Sequence, residues 1–369
     1  MKLWNRLWSY KIEQRIIMMA KLKDLFFSDK FIVELGAAIK NVYPDFNQSK
    51  FNRLIYMDDW ENKELKQRMH HITHSMVEFL PKDYPLALKI LTEVAPCFQG
   101  FDTMIFPDFV ESQGMENWDL SLPALAFFTS LCSSEFAIRP FLAKDSERAM
   151  SFMYKWAEEK NYHLRRLASE GCRPRLPWAM SLPGFKKDPT PILRILETLK
   201  DDPVEYVRKS VANNLNDISK DHPGLVLDIC ERWYGQSTNT DWIVKRACRT
   251  LLKKGDTRAL VLFGFGDPGL IEVDGLIFDR QSLAIGEKLQ FSFEIIIVDT
   301  GVRQLRLEYG VDYVKASGKT SRKIFQIKEA DFKPGSYTTT RKHSFRDLST
   351  RKHYPGQHQF SIIINEIGR

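Results

Sequence analysis

The sequence predicts an all-α region of HEAT-like helical repeats followed by a small immunoglobulin-like β-sandwich. Three observations lead there. A unit of apolar and paired basic residues recurs as Leu164-Arg165-Arg166-Leu167-Ala168, Val207-Arg208-Lys209-Ser210-Val211-Ala212 and Val244-Lys245-Arg246-Ala247-Cys248. Its spacing of about forty residues is that of two-helix repeats. From Lys21 to about Thr257 the apolar residues return at helical spacing, whereas after Phe265-Gly266-Asp267-Pro268-Gly269 they alternate in short runs. The expected domains are therefore residues 1–265 and 266–369.

Within the helical part, Asp188-Pro189, Asp202-Pro203 and His222-Pro223 read as helix starts. An Asp there can accept from free amides, and a Pro in the first turn forfeits no hydrogen bond. Between Pro203 and Ser219, Val204, Val207, Val211, Leu215 and Ile218 form one apolar stripe. Arg208, Lys209 and Asn213 fall largely on other faces, which makes this an amphipathic helix with a basic side.

The predicted strands are Leu270–Phe278, Leu289–Ile297, Leu305–Val314, Arg322–Ile327, Tyr337–Phe345 and His358–Ile364, separated by Gly-, Pro-, Asp- or Ser-containing turns. Six such runs in about 100 residues fit a sandwich, although the Cys…Trp…Cys signature of antibody domains is missing.

Composition narrows the function. A net charge of +7 favours an anionic partner. The excess is concentrated: residues 315–352 hold 11 Lys+Arg against 3 Asp+Glu. No apolar run reaches the roughly 20 residues that cross a bilayer. The first residues lack a signal-type apolar block, so an intracellular, cytoplasmic protein is expected, with Met18 or Met19 an alternative start. Five cysteines without a Cys-x-x-Cys pair indicate neither a disulfide framework nor a zinc ribbon. His70 and His74 lie one turn apart, but no zincin Glu accompanies them. Walker, Gly-x-Ser-x-Gly and Rossmann signatures are absent as well. Neither a metal nor another cofactor is expected.

Three segments mix acidic, basic and aromatic residues where an ordinary helical repeat would not. They are Ser133–Phe141, His163–Trp178 and Val207–Ile218. The stretch Ser169-Glu170-Gly171-Cys172-Arg173-Pro174-Arg175-Leu176-Pro177-Trp178 is the most distinctive. Here the chain resembles the AlkC-type branch of the HEAT-like-repeat DNA alkylation repair glycosylases, over most of Lys21 to Thr257. Some members of that branch carry an immunoglobulin-like C-terminal domain.

The resemblance implies excision of bases alkylated on a ring nitrogen, chiefly 3-methyladenine, from double-stranded DNA, by a protein expected to act as a monomer. By matching motif positions it implies that Asp217 and Glu170 face the scissile nucleotide, that Trp178 stacks near the lesion or sugar, and that Glu135 serves the base-proximal side. The chemistry asks for such residues. An alkylated base is a good leaving group, so carboxylates and an indole face need mainly stabilise positive charge growing on deoxyribose.

Arg139, Arg165, Arg166, Arg173, Arg175, Arg208, Lys209, Arg246 and Arg249 are the expected phosphate contacts, about half of them reaching DNA. No lysine is indicated as a Schiff-base nucleophile. The rival reading is a non-catalytic basic scaffold for nucleic acid or an acidic protein, in which Glu135, Glu170, Asp217 and Trp178 would be dispersed.

Overall fold

The computed structural model describes residues 25–365 apart from 58, 267–268, 299 and 349–350. The leading segment with its alternative start, and the Asp267-Pro268 turn, lie outside the described residues. Two compact units divide between Ala247 and Cys248.

The first unit is helical: α1 (Asp29–Val42), α2 (Gln48–Ile55), α3 (Leu65–Phe79), α4 (Tyr84–Val94), α5 (Ile105–Gln113), α6 (Trp118–Phe128), α7 (Ile138–Lys144), α8 (Ser146–Ala157), α9 (Tyr162–Gly171), α10 (Pro183–Lys187), α11 (Thr190–Thr198), α12 (Glu205–Ile218), α13 (Pro223–Trp233) and α14 (Thr238–Ala247). Side chains that accept from free amides start many of them: Ser28 before α1, Asn47 before α2, Asp83 before α4, Asp145 before α8 and Asn161 before α9.

The three copies of the repeated unit lie on α9, α12 and α14, and these pack in sequence, α9 on α12 and α12 on α14. Their apolar positions, Leu167, Ala168, Val207, Val211, Ala212, Val244 and Ala247, are buried. Helix α8 packs on α9 and α11, and α13 on both α12 and α14. Each repeat thus buries its apolar stripe only by stacking on its neighbours.

Helix α12 starts two residues later than its Asp-Pro signal indicates, and the reason is ionic. The Asp202 carboxylate accepts from Val204 N at 2.8 Å but is otherwise taken by the Arg165 fork, at 2.5 and 3.2 Å. Arg208 Nη1 donates to the Asp202 carbonyl at 2.7 Å. Asp202 therefore joins two repeats instead of capping one helix.

The second unit opens with α15 (Arg249–Lys253) and α16 (Thr257–Leu262), followed by β1 (Ile271–Phe278), β2 (Lys288–Ile297), β3 (Arg303–Val314), β4 (Thr320–Phe332), β5 (Gly335–Ser344) and β6 (Gln359–Ile364). These form two three-stranded antiparallel sheets, ordered β1-β2-β5 and β4-β3-β6. Alternate residues of β2 (Leu289, Phe291, Phe293, Ile295 and Ile297) meet Leu305, Leu307, Tyr309, Val311 and Tyr313 of β3 in the core. Strand β3 departs from simple alternation. Its other face is also buried, and carries Arg306 paired with Glu308 and Glu329.

Ten of the eleven basic residues between 315 and 352 are exposed; Arg351 is half-buried. Its guanidinium lies 4.7 Å from the Tyr313 ring centre and donates to that hydroxyl at 3.0 Å.

His343 sits inside the sandwich between two phenols, with Tyr309 Oη 2.9 Å from Nδ1 and Tyr313 Oη 2.6 Å from Nε2. Burial, followed by the charge of Arg351, pushes its pKa down to about 4. The unfolded chain then takes up this proton first as the pH falls. The stability is complete above the unfolded value of about 6.5 and is lost as pH drops towards the folded one. Lowering the pH from 7 to 4.5 should cost the second unit about 2–3 kcal/mol through this group. Tyrosine-monitored urea unfolding of the full chain measures the loss, and a His343→Leu variant should show a correspondingly shallower pH slope.

Candidate active site

The site is built where α9 and α12 end. Glu170 lies in the last turn of α9 and Asp217 in the last turn of α12. Acids are disfavoured there, because unpaired carbonyls make a helix C-terminus negative. Each is therefore followed three residues later by a cation. Arg173 Nη1 meets Glu170 at 2.6 Å, and Lys220 Nζ meets Asp217 at 3.0 Å.

Arg173 also reaches Asp217, at 2.8 Å, and so ties the two helix ends together. On the other side of Glu170, Arg166 stands 3.5 Å away and forms a second ion pair with Glu135, in the turn before α7. Ser133 Oγ donates to Glu135 at 2.9 Å and accepts from Arg166 at 2.8 Å. The Arg166 guanidinium lies 4.8 Å from the ring centre of Tyr206. The result is one row of alternating charges: Glu135, Arg166, Glu170, Arg173, Asp217 and Lys220.

The exposure of this row differs from the sequence expectation. Glu135, Glu170 and Asp217 are only 8, 2 and 2 % exposed, so they do not line an open basic hollow. Lys220, with 39 % of its side chain exposed, caps the Asp217 end. Burial by itself would raise the Glu170 carboxyl. Arg166 and Arg173, helped by hydrogen bonds from Ser210 and Arg173, hold it below the ordinary carboxylate range. Burial likewise opposes the charge on Arg166, yet Glu135 and the other acids around it lift its pKa. Three acids against two guanidiniums leave the buried row at −1 before Lys220 is added.

Trp178 follows α9 on the connector to α10. The residue is 46 % exposed, and its backbone is left-handed at φ 65°. That conformation costs a side-chain-bearing residue on the order of 1–2 kcal/mol. The connector is fastened beside Glu135: Lys66 Nζ donates to the Trp178 carbonyl at 3.0 Å and stands 4.5 Å from the Phe136 ring centre. Arg139 Nε donates to the Met180 carbonyl at 2.8 Å, while its Nη1 serves the carbonyls of Gly171 and Arg173 at 2.7 and 2.9 Å. Helix α9 comes close enough to α7 that a Cβ on Gly171 would meet Ile138 Cγ2 at 2.6 Å.

Several expected phosphate contacts are corrected by this arrangement. Arg139, Arg166 and Arg173 are buried and spend their donors on carboxylates, a hydroxyl and carbonyls inside the unit. Arg165 is locked on Asp202 and on the carbonyls of Glu159 and Lys160. The remaining residues stay nearer the surface. Arg175 Nη2 donates to both carboxylate oxygens of Asp221, Lys209 pairs with Glu205, Arg208 is half-buried, and exposed Arg246 lies over Trp242. Arg249, half-buried, belongs to the second unit.

Sequence reasoning also passed over Lys220, Lys66, Ser133 and Tyr206. Lys220 lies just past the third of the segments singled out in the sequence, and one helical turn carries it onto Asp217. The carboxylates are not dispersed as a mere scaffold would have them, because all three share one network. His70 turns its Nδ1 to buried Asp108 at 2.8 Å, and that hydrogen bond raises its pKa.

Comparisons with known proteins agree with the helical and immunoglobulin-like architecture. Residues 130–251 match the DNA alkylation repair enzyme family, and residues 272–368 match a family described as the C-terminal Ig-like domain of uncharacterised protein YhaZ. The chain is 47 % identical to "Uncharacterized protein YhaZ" of Bacillus subtilis (strain 168), over 94 % of this chain and 97 % of that protein. It is also similar to the Pseudomonas fluorescens alkylpurine DNA glycosylase AlkC, solved bound to DNA containing an abasic site analog. That match has a TM-score of 0.90 and 37 % identity, covering 93 % of this chain and 96 % of the other.

The Arg173 bridge generates a stability test. Replacing Arg173 by Met leaves Glu170 and Asp217 facing each other without their shared cation, which should cost about 3–5 kcal/mol in urea unfolding. Removing exposed Arg194, 3.9 Å from Glu158, should change stability by less than about 0.5 kcal/mol.

Proposed function

Since this chain belongs to the AlkC-type family of DNA alkylation repair proteins, we propose that it is a monofunctional DNA glycosylase. It releases cationic N-alkylated bases, chiefly 3-methyladenine, from duplex DNA by hydrolysis. The observation that carries the reading is the buried row of Glu135, Glu170 and Asp217, cross-linked by Arg166 and Arg173, next to an exposed and strained Trp178.

In the proposed reaction the N-glycosidic bond breaks and its electron pair leaves with the base, which becomes neutral. Positive charge passes to the sugar. The buried part of the row, at −1 without Lys220 and little exposed, stabilises that charge strongly, since little water screens it. Water adds to the sugar carbon and gives its proton to a carboxylate, leaving an abasic site. The Trp178 face offers cation–π attraction to the same charge.

Access to Asp217 runs past Lys220. A DNA phosphate competes with Asp217 for this half-exposed ammonium, so duplex binding draws it away and bares the carboxylate. As an ion-paired ammonium, Lys220 lacks the lone pair that a Schiff base needs. The exposed cations of the sandwich supply affinity without reading sequence.

Three measurements test this proposal. Asp217→Asn and Glu170→Gln should each lower release of 3-methyladenine by roughly 10²–10⁴-fold while duplex binding stays near wild type; unimpaired release in both removes the mechanism. Borohydride should trap no protein–DNA adduct, and an adduct that disappears in Lys220→Met would show a lyase instead. Neutralising Lys315, Lys323 and Lys342 together should reduce the slope of log binding constant against log salt by about 0.9 for each phosphate that the variant no longer neutralises.

A further inference from the structure

One ionic cluster of the helical unit lies outside the carboxylate row and outside the chemistry proposed for it. His70 of α3 places Nδ1 2.8 Å from Asp108 of α5. The Asp108 side chain is 4 % exposed and has His70 as its paired cation, whereas half of the His70 side chain is in solvent. A buried carboxylate thus holds an exposed imidazole in one orientation. With Nδ1 spent, the ring presents Nε2, which makes no hydrogen bond among the described residues.

Other titratable groups surround the pair. Glu111, half-buried one turn after Asp108, has its carboxyl pushed up by burial and then by Asp108. On α3 itself, Lys66 lies one turn before His70, and exposed His74 one turn after it. The Asp108 hydrogen bond acts most strongly on His70; burial and Lys66 oppose the charge on the ring, Glu111 favours it, and the pKa ends up raised. Helix α2 also packs on α3, through His71, whose Nε2 stands 3.0 Å from Ile55 O.

Position gives the cluster its use. Lys66 Nζ donates to the Trp178 carbonyl at 3.0 Å. Residues four apart share a helix face, and one such step is about 6 Å along the axis. His70 therefore lies on the surface beside the Trp178 connector, where the proposed reaction brings the duplex. The arginines of that neighbourhood, Arg139, Arg166 and Arg173, are buried and cannot meet a phosphate there.

We propose that the outward nitrogen of His70, oriented by Asp108, is a proton-linked contact for a phosphodiester of the DNA strand that passes Trp178. In the protonated ring both nitrogens donate, one to Asp108 and the other to a phosphate oxygen. In the neutral ring Asp108 keeps the remaining proton on Nδ1, so Nε2 carries a lone pair and faces the phosphate as a second acceptor. The dyad therefore switches the contact on and off instead of merely weakening it. A phosphate opposite Asp108 also favours the charged ring, so binding takes up a proton wherever the free protein is incompletely protonated. The inference rests on the glycosylase reading only for bringing DNA to this face, and needs no base release.

The test is the affinity of the full-length protein for an undamaged fluorescent duplex, read by anisotropy at constant salt at about pH 6 and about pH 8.5, on either side of the ordinary histidine value. Wild type should bind more tightly at the lower pH. His70→Gln should lose about tenfold in affinity there and less than about twofold at the higher pH. Its slope of log binding constant against log salt should fall by about 0.9 at the lower pH alone. His70→Lys, charged at both, should carry the low-pH affinity of wild type up to the higher pH. Urea unfolding at each pH verifies that both variants are folded in the assay.

If His70→Gln binds as wild type does at the lower pH, or loses affinity equally at both, the contact is wrong; base release by wild type would still leave the glycosylase reading standing. If the pH response depends on His70 but wild type releases no base, the contact stands and the enzymatic reading falls. A cluster that serves a protein partner would leave duplex affinity alike in every variant, which also overturns the contact.

Discussion

The structure depends on holding three carboxylates against cations where almost no water reaches them. An isolated buried carboxylate carries a desolvation penalty of several kcal/mol and would be expected to take up a proton instead. Here Arg166 and Arg173 flank Glu170, and each reaches a further acid, so no guanidinium and no carboxylate stands alone. The positions follow from helix geometry. Arg166 lies one turn before Glu170, while Arg173 lies just past the helix end, where the chain is free to turn toward Asp217. Removing either cation strands charge in the interior, and removing an acid strands a guanidinium. Such a network is costly to assemble, which makes packing strength alone a poor reason to have it.

The same network organises the connector. Arg173 belongs both to the ion row and to the chain leading to Trp178, and its carbonyl is one of the three that Arg139 grips. The left-handed turn at Trp178 is thereby over-determined: by the connector's own main-chain hydrogen bonds, by Lys66 and by Arg139. Strain of this kind persists only where the surroundings enforce it. Charge stabilisation and aromatic presentation are consequently two outputs of one piece of scaffolding.

Much of this is legible in the chain, for identifiable reasons. The sandwich strands are readable because β2 alternates strictly and Gly and Pro mark the turns; Gly318 at φ 75° closes the β3–β4 hairpin. Strand β3 is equally plain, but its buried second face is not, since Arg306 and Glu308 read as solvent-facing until their pairing places them inside. The repeated basic unit points to the right buried apolar positions and partly to the wrong fate for its arginines. Periodicity says which residues share a face; it does not say whether that face meets water. Arg166 shares its helix with Glu170 and turns inward, whereas Lys209 pairs with Glu205 near the surface. The acids themselves are marked only by a resemblance in motif, because nothing in their spacing makes three carboxylates 35 and 47 residues apart neighbours. Lys66 has no local signal at all, its contact being purely tertiary.

The charge state of the row also limits what it can do to a base. Glu170 is held below the ordinary carboxylate range, so at neutral pH it has no proton to give. Departure of a neutral, undamaged base would require protonation or another way to carry the negative charge it takes with it. A base alkylated on a ring nitrogen needs no such help, because it already bears the positive charge and leaves as a neutral molecule. Glu170, on the glycosylase reading, offers negative charge to the sugar and no acid to the leaving group, and so discriminates by chemistry before any pocket measures shape. On the glycosylase reading, the two arginines that make the buried acids tolerable also exclude normal DNA from the reaction.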